Sequence, residues 1–429
     1  MNLFRLRYFI LIFIIGAAFV SLSWNTRPPL NFSLPSFHSP QRTHHFIQYE
    51  INDMDIYHPE VRFNGFFEKL KRLVFEGEGK ISIVHMGGSH VQGGALTDRL
   101  RTDFSTLAYG LQGDRGLVFP FKLAGTNSPW SINCKWTGSW SGCRNSVSSH
   151  SCNWGVSGIA AVTTDSIASI EVFTQAADSS LNPFDRIKIY YQASEGYGVY
   201  MDTTMNVIEH NHSDVGGYDE FIFDRFYSSA KIHIRRPGNQ PGEFDFQGFY
   251  FGSEEPGISY NPIGVNGAGT YSYLRCGLFE EQMKTLQPDL VLFGIGVNDA
   301  NVPQSDFDDK LYESRYDSII SKIEAANPNV CFIFITNNDT YYNRKYPNKN
   351  AIKVQEAMQR LAEKHNAAVY DLFAIMGGLG SIDDWRDAQL AARDRIHLTR
   401  SGYELQADLM FDAFRRSFGD YLDEFKNQY

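Results

Sequence analysis

Positive charge is in short supply. Lys and Arg number 39 against 49 Asp and Glu, a formal net charge of −10, and no long basic run occurs. The electrostatic footprint of a nucleic-acid binder is missing, so no nucleic-acid partner is expected. Metal-ligand spacing is missing as well. The five cysteines form no CxxC pair and no Cys/His set at zinc distances, and neither a metal nor another cofactor is expected. No internal repeat or low-complexity tract stands out.

Hydrophobic residues make up 43% of the 429 residues, enough for substantial cores, and a chain this long is more simply two domains than one. The aromatic share of 14% leans toward β structure and sugar-facing surfaces. Cys134, Cys143 and Cys152 lie close together in one polar stretch, where an oxidising compartment would allow one disulfide. Cys276, at the start of an expected helix, and Cys331, in an apolar strand, read as ordinary buried thiols.

One apolar run, Tyr8 to Trp24, follows Arg5 and Arg7. Residues 1–24 read as a signal peptide or a single membrane anchor. The run has no clean A-x-A cleavage site and no lipobox cysteine. The positive-inside rule then exports the rest of the chain, to the periplasm or cell surface, with the membrane as a partner of this segment. Residues 25–59, polar and proline-containing at their start, read as a linker.

Apolar spacing predicts a helix from Phe63 to Phe75, then a strand from Ile81 to Met86, a glycine turn presenting Ser89, and a helix from about Ala95. Across 128–255, short β-branched and aromatic runs alternate with Gly, Asn, Asp and Pro turns, the pattern of an all-β sandwich. Downstream, α/β rhythm returns: helix Tyr271 to Leu286, strand Pro288 to Gly296, helix Ser305 to Ala326, strand Val330 to Thr336, helix Ala351 to His365, strand Ala367 to Asp371, helix Gly402 to Phe418. Such alternation implies a parallel sheet with both faces covered. The fold class expected is therefore α/β, 60–127 joined with 256–429, with the β-rich stretch inserted between them.

Ligands of doubly wound sheets sit at the carboxyl ends of the strands. Ser89 follows one strand and Asn298-Asp299 another, so both loops open on the same edge. Asp394 and His397 precede the last helix, three residues apart. That spacing lets an imidazole take the Ser89 proton while a carboxylate fixes its tautomer. Asn298 is placed to donate its amide to an oxyanion, beside backbone N–H groups of the serine turn and of a second glycine loop, Ile263 to Ala268.

Gly87-Gly88-Ser89, Gly264-Val265-Asn266-Gly267, Gly296-Val297-Asn298-Asp299 and Asp394-x-x-His397 resemble, in order, the four blocks of the SGNH (GDSL-like) hydrolases. The resemblance covers roughly 60–127 and 256–429 and implies a three-layer, flavodoxin-like parallel sheet. It implies Ser89 as nucleophile, His397 as base, Asp394 as its orienter, and Ser89, Gly267 and Asn298 as oxyanion donors. Gly264 is the alternative match for Gly267. Gly88 stands where the family usually has Asp. A sandwich inserted early in such a domain is similar to peptidoglycan O-acetylesterases, whose insert is carbohydrate-binding-like.

Bland readings stand beside these. His85 reads as a packed core residue, and Asp299 as an acid that stabilises its loop. His90, next to the nucleophile, is a candidate substrate contact. Trp130, Trp136, Trp140 and Trp154 either stack on sugars or fill the sandwich core; Trp385 has no assigned role. The expectation is an exported serine esterase that removes small acyl groups, chiefly O-acetyl, from peptidoglycan or another polysaccharide. The alternatives are an O-acyltransferase sharing the acyl-serine step, and a non-catalytic glycan-binding envelope protein.

Overall fold

A computed structural model describes residues 40–426 except 109, 112, 175–182 and 239–240. The apolar run from Tyr8 to Trp24 lies outside them. Among the described residues no helix is long and apolar enough to cross a membrane.

The central sheet has six strands in the order Asp55–Ile56, Ala368–Tyr370, Cys331–Ile335, Leu290–Gly294, Lys80–Gly87, Gly257–Gly264. Asp55–Ile56 is antiparallel to its neighbour, and the other five strands run parallel. Numbered along the chain, those five follow the order 2-1-3-4-5, the flavodoxin-like arrangement. The topological switch point lies between Lys80–Gly87 and Leu290–Gly294, whose carboxyl ends carry the Ser89 and Asn298 loops. Val291, Leu292, Phe293, Cys331, Phe332, Ile333 and Phe334 are wholly buried, as strands covered on both faces must be.

Helices cover this sheet by matching their apolar stripe to it. In Phe63–Glu76 the buried residues are Phe63, Phe66, Phe67, Leu70, Leu73 and Val74, one face of a 3.6-residue period. The helix stops at Gly77, which adopts φ +70° and returns its N–H to Leu73 O, a left-handed C-terminal stop. The last helix, Arg400–Lys426, packs along Ala95–Leu107.

Between the α/β segments lie two antiparallel sheets, of seven and four strands. The larger takes in Gly116–Val118, which pairs with Phe244–Gly252. Its buried residues and those of the smaller sheet join the α/β core in one hydrophobic cluster. Cys143 and Cys152 form a disulfide, leaving Cys134 half-buried and free. Cys276 and Cys331 are buried, and burial pushes both thiols up to about 12.

Three local expectations change. The helix expected over Tyr271 to Leu286 is two, Thr270–Leu274 and Phe279–Leu286. They are interrupted at Gly277, where a Cβ would lie 2.4 Å from Asn153 Oδ1, so Cys276 lies between helices. A separate short helix, Ser89–Gln92, carries the serine. Gly257–Gly264 is a full strand where sequence had shown only the loop that follows it.

Candidate active site

Ser89 begins its short helix directly after the strand Lys80–Gly87. Glycines let that helix lie close on the sheet edge. A Cβ on Gly87 would sit 2.3 Å from Val91 Cγ2, and one on Gly264 would sit 2.5 Å from the Gln92 nitrogen. Tyr273 locks the junction by donating its hydroxyl to Gly87 O at 2.6 Å.

The hydroxyl of Ser89 donates to His397 Nε2 at 2.7 Å. On the other side of the ring, His397 Nδ1–H donates to Asp394 Oδ2 at 2.7 Å. The remaining carboxylate oxygen, Oδ1, accepts the backbone N–H groups of Ile396 and His397, both at 3.0 Å. Burial alone would raise the Asp394 carboxyl. The hydrogen bonds from the His397 ring and from the two amides outweigh it and hold the group below its ordinary value. An ionised carboxylate fixed on Nδ1 leaves Nε2 as the proton acceptor facing the serine.

The loop bearing Asp394 and His397 is tied from several sides. Ala392 N–H donates to His397 O at 2.8 Å, Tyr341 N–H to Arg395 O at 2.9 Å, and Asn338 Nδ2 to Ile396 O at 3.0 Å. Arg395, at φ +56°, is anchored to Asp383 through its Nε at 2.7 Å. The imidazole is therefore held by backbone contacts as well as by its carboxylate.

Ser89 and His397 line a cavity of about 400 Å³ together with Gly267, Asn298, Asn301, Tyr341 and Tyr403 among others. Gly267, at φ +81°, lines it, whereas Gly264 ends its strand packed on the serine helix. Ser89 is the first residue of its helix, so its N–H has no intrahelical acceptor. Asn298 donates one amide hydrogen to Ala268 O at 2.9 Å and has a second hydrogen to give. A Cβ at Gly88 would lie 2.9 Å from Asn298 Nδ2 and 3.3 Å from Ala268 O. The absence of a side chain there leaves room for the Asn298 amide.

His90 is not among the residues lining this cavity. Its ring stacks on His397, with centroids 5.1 Å apart and planes 30° apart, and Tyr403 shares a 2.7 Å hydrogen bond with its Nδ1. Burial, and then the neighbouring charge of His397, lower its pKa to about 3. A neutral ring stacked on the His397 imidazole supports that ring. Asp299 is buried and accepts the Thr270 N–H and hydroxyl, and His85, buried, is bonded to the Tyr260 hydroxyl at 2.7 Å. Trp154 and Trp385 are core residues, 3% and 0% exposed, while Trp130 and Trp136 keep 41% and 42% of their surface. Among the described residues no group of three or more His, Cys, Asp or Glu is placed to hold a metal.

Two further supports carried no motif. Gln92, three residues after Ser89 and buried, accepts the Asn266 N–H at 2.7 Å and donates to Asn127 O at 2.7 Å, knitting the serine helix to the second glycine loop. Tyr403 follows His397 by six residues in the first turn of the last helix.

The model of the GDSL-like lipase/acylhydrolase family matches residues 251–405. Among solved structures, a peptidoglycan O-acetylesterase superposes with a TM-score of 0.65 at 18% identity, covering 86% of this chain and 99% of that one. Identity this low establishes a shared fold. A lipase/acylhydrolase from Enterococcus faecalis (TM-score 0.31, 21% identity, 38% of this chain and 77% of that one) is also similar. So is the acetyl xylan esterase AlAXEase (0.30, 22%, 36% and 81%). Scores near 0.3 support no further comparison. A search of curated proteins finds no match. The chain thus shares its fold with that O-acetylesterase, and its residues 251–405 are similar to GDSL-like acylhydrolases.

Proposed function

We propose that the protein is an exported esterase that removes O-acetyl groups from an envelope glycan, with peptidoglycan as the favoured substrate and Ser89, His397 and Asp394 as its triad. One observation carries the reading: serine, imidazole and carboxylate follow one another at 2.7 Å and 2.7 Å, with the serine and the imidazole on the wall of the cavity. The apolar start of the chain supports export and a membrane anchor, and the name of the peptidoglycan O-acetylesterase of like fold supports the substrate class. The β-rich stretch 128–255 would act as an accessory module toward the glycan.

In this reading Ser89 Oγ attacks the acetyl carbonyl as its proton passes to His397 Nε2, and Asp394 stabilises the resulting imidazolium. The oxyanion is met by the Ser89 and Gly267 N–H groups and by the second hydrogen of Asn298 Nδ2. His397 then protonates the departing sugar oxygen, leaving acetyl-Ser89. Water, deprotonated by the same imidazole, releases acetate and restores the serine.

Acetate release from O-acetylated peptidoglycan tests the proposal. Wild type should release acetate in step with loss of ester, and Ser89→Ala should release none above background. Release unchanged in Ser89→Ala would remove the triad. Ester loss matched by acetylation of an added glycan, without acetate, would replace hydrolysis by transfer.

A further inference from the structure

Beside the catalytic cavity lies a second hollow of about 200 Å³, walled by Trp130, Asp98, Arg99, Thr102, Arg400 and Glu404 among others. Two chain segments pass from one hollow to the other. Gly93 and Asn127 line the catalytic cavity, and Ala95 and Trp130 line its neighbour. On the last helix Tyr403 faces the first and Arg400 the second, about one helical turn apart.

Gly94 makes this contact possible. It sits at φ +85°, and a Cβ there would lie 2.5 Å from Pro129 Cβ, so the loop carrying Trp130 rests directly on the turn after the serine helix. The guanidinium of Arg400 lies over the Trp130 ring, 5.2 Å from its centroid. Trp130 still keeps 41% of its surface, unlike Trp154 and Trp385.

The charged groups of this wall have ion-pair partners, Asp98 facing Arg115 at 3.7 Å with its Oδ2 accepting no hydrogen bond. Arg400 Nε donates to Glu404 at 2.8 Å, and Arg99 Nε to Asp408 at 2.6 Å. Paired charges offer hydrogen-bond donors and acceptors without a strong field for an ion. An indole beside them offers an apolar ring face. A ligand with an apolar ring and many neutral hydroxyl or amide groups meets both, and that is the chemistry of a pyranose.

We propose that this hollow is a sugar subsite, holding the residue adjacent to the one whose ester enters the catalytic cavity. The inference rests on the glycan-esterase reading above and deepens it, by making the enzyme prefer an oligosaccharide to a single acetylated sugar.

The test compares three substrates, p-nitrophenyl acetate, an O-acetylated N-acetylhexosamine monosaccharide and the corresponding oligosaccharide, in wild type, Trp130→Ala and Arg400→Ala. Wild type should show a KM for the oligosaccharide about tenfold below that for the monosaccharide, the equivalent of about 1.4 kcal/mol. Trp130→Ala should erase that advantage and leave kcat and all p-nitrophenyl acetate kinetics unchanged. Arg400→Ala, a surface change that spares folding, should reduce the advantage in the same direction. An advantage that persists in both variants overturns the subsite, as does an equal loss on all three substrates. A wild type that cleaves the aryl ester and neither sugar ester overturns the glycan reading itself, which separates the two failures.

Discussion

Histidine meets aspartate at almost the same distance in several places, His365–Asp317 at 2.8 Å and His233–Asp202 at 3.0 Å among them, and two of these places repay comparison. At the sheet edge His397 Nδ1 lies 2.7 Å from Asp394. On the antiparallel strands Val207–Ser213 and Tyr218–Tyr227, Asp219 takes His212 Nδ1 at 2.8 Å and His210 Nε2 at 3.1 Å. The second cluster is the richer in contacts, since His212 Nε2 also reaches Asp214 at 3.0 Å. Hydrogen bonds to Asp219 and Asp214 raise the His212 pKa, and both of its ring nitrogens are engaged. His397 offers Nε2 to a serine instead, beside a concave site. A His–Asp pair is therefore common chemistry. What singles out the sheet edge is a serine hydroxyl on the free nitrogen, beside a cavity that Gly267 and Asn298 also line.

The sharpest way to break this contrast is to exchange the members of the two sites. His397→Ala or Ser89→Ala should lower kcat/KM for p-nitrophenyl acetate about a thousandfold or more, whereas His212→Ala should leave it unchanged. Comparable losses in His212→Ala would mean that the pair on the strands belongs to the chemistry. Next in size is Asn298→Ala, where loss of an oxyanion donor should cost about 10²–10³ in kcat with little change in KM. A purely structural asparagine would instead show as a lower Tm and an unchanged kcat.

Gly88→Ala comes third. The added carbon would press on Asn298 Nδ2, so kcat should fall by roughly 10²-fold or less through misplacement of that amide. Addition of Asn298→Ala to Gly88→Ala should then cost much less than Asn298→Ala alone. Fully additive losses would separate the two residues.

The last prediction leaves the chemistry and concerns stability. Burial lowers the pKa of His85 to about 3, and burial followed by the charge of His397 does the same for His90; an unfolded histidine titrates near ~6.5. The unfolded chain binds more protons between these values, so stability falls as pH drops from about 6.5 toward about 3. Each ring contributes up to about 1.4 kcal/mol per pH unit in that window. Above it these two groups contribute no pH dependence. Urea unfolding between pH 4.5 and 7.5 should show the slope, and His85→Asn should remove about half of what the two rings provide. An unchanged slope would assign the acid sensitivity to other groups.

Legibility in the sequence followed the physics of each element. Leu290–Phe293 and Cys331–Ile335 are continuous apolar runs because both sheet faces are covered, and they were readable as strands. Gly257–Gly264 was not, since Ser259, Asn261 and Pro262 interrupt its pattern. Asn261 is buried with its amide spent on Leu117 N–H and Ile83 O, a satisfaction that only the folded neighbours supply. Pro262 is tolerated because its strand is a sheet edge. The residues now seen around Ser89 and His397 were named from motif and spacing, whereas Gln92, Tyr273 and Tyr403 act through contacts between distant segments and leave no local signature. His90 follows Ser89 directly in sequence, yet one residue along a helix turns its side chain about 100° away, where it stacks on His397.

The central claim is that Ser89 is a nucleophile activated by His397. Labelling of the folded protein with a fluorophosphonate probe, mapped by mass spectrometry, tests it most directly. The account predicts a single modified serine, Ser89, with labelling lost in His397→Ala and retained in His212→Ala. Labelling absent from Ser89, or undiminished in His397→Ala, would contradict it.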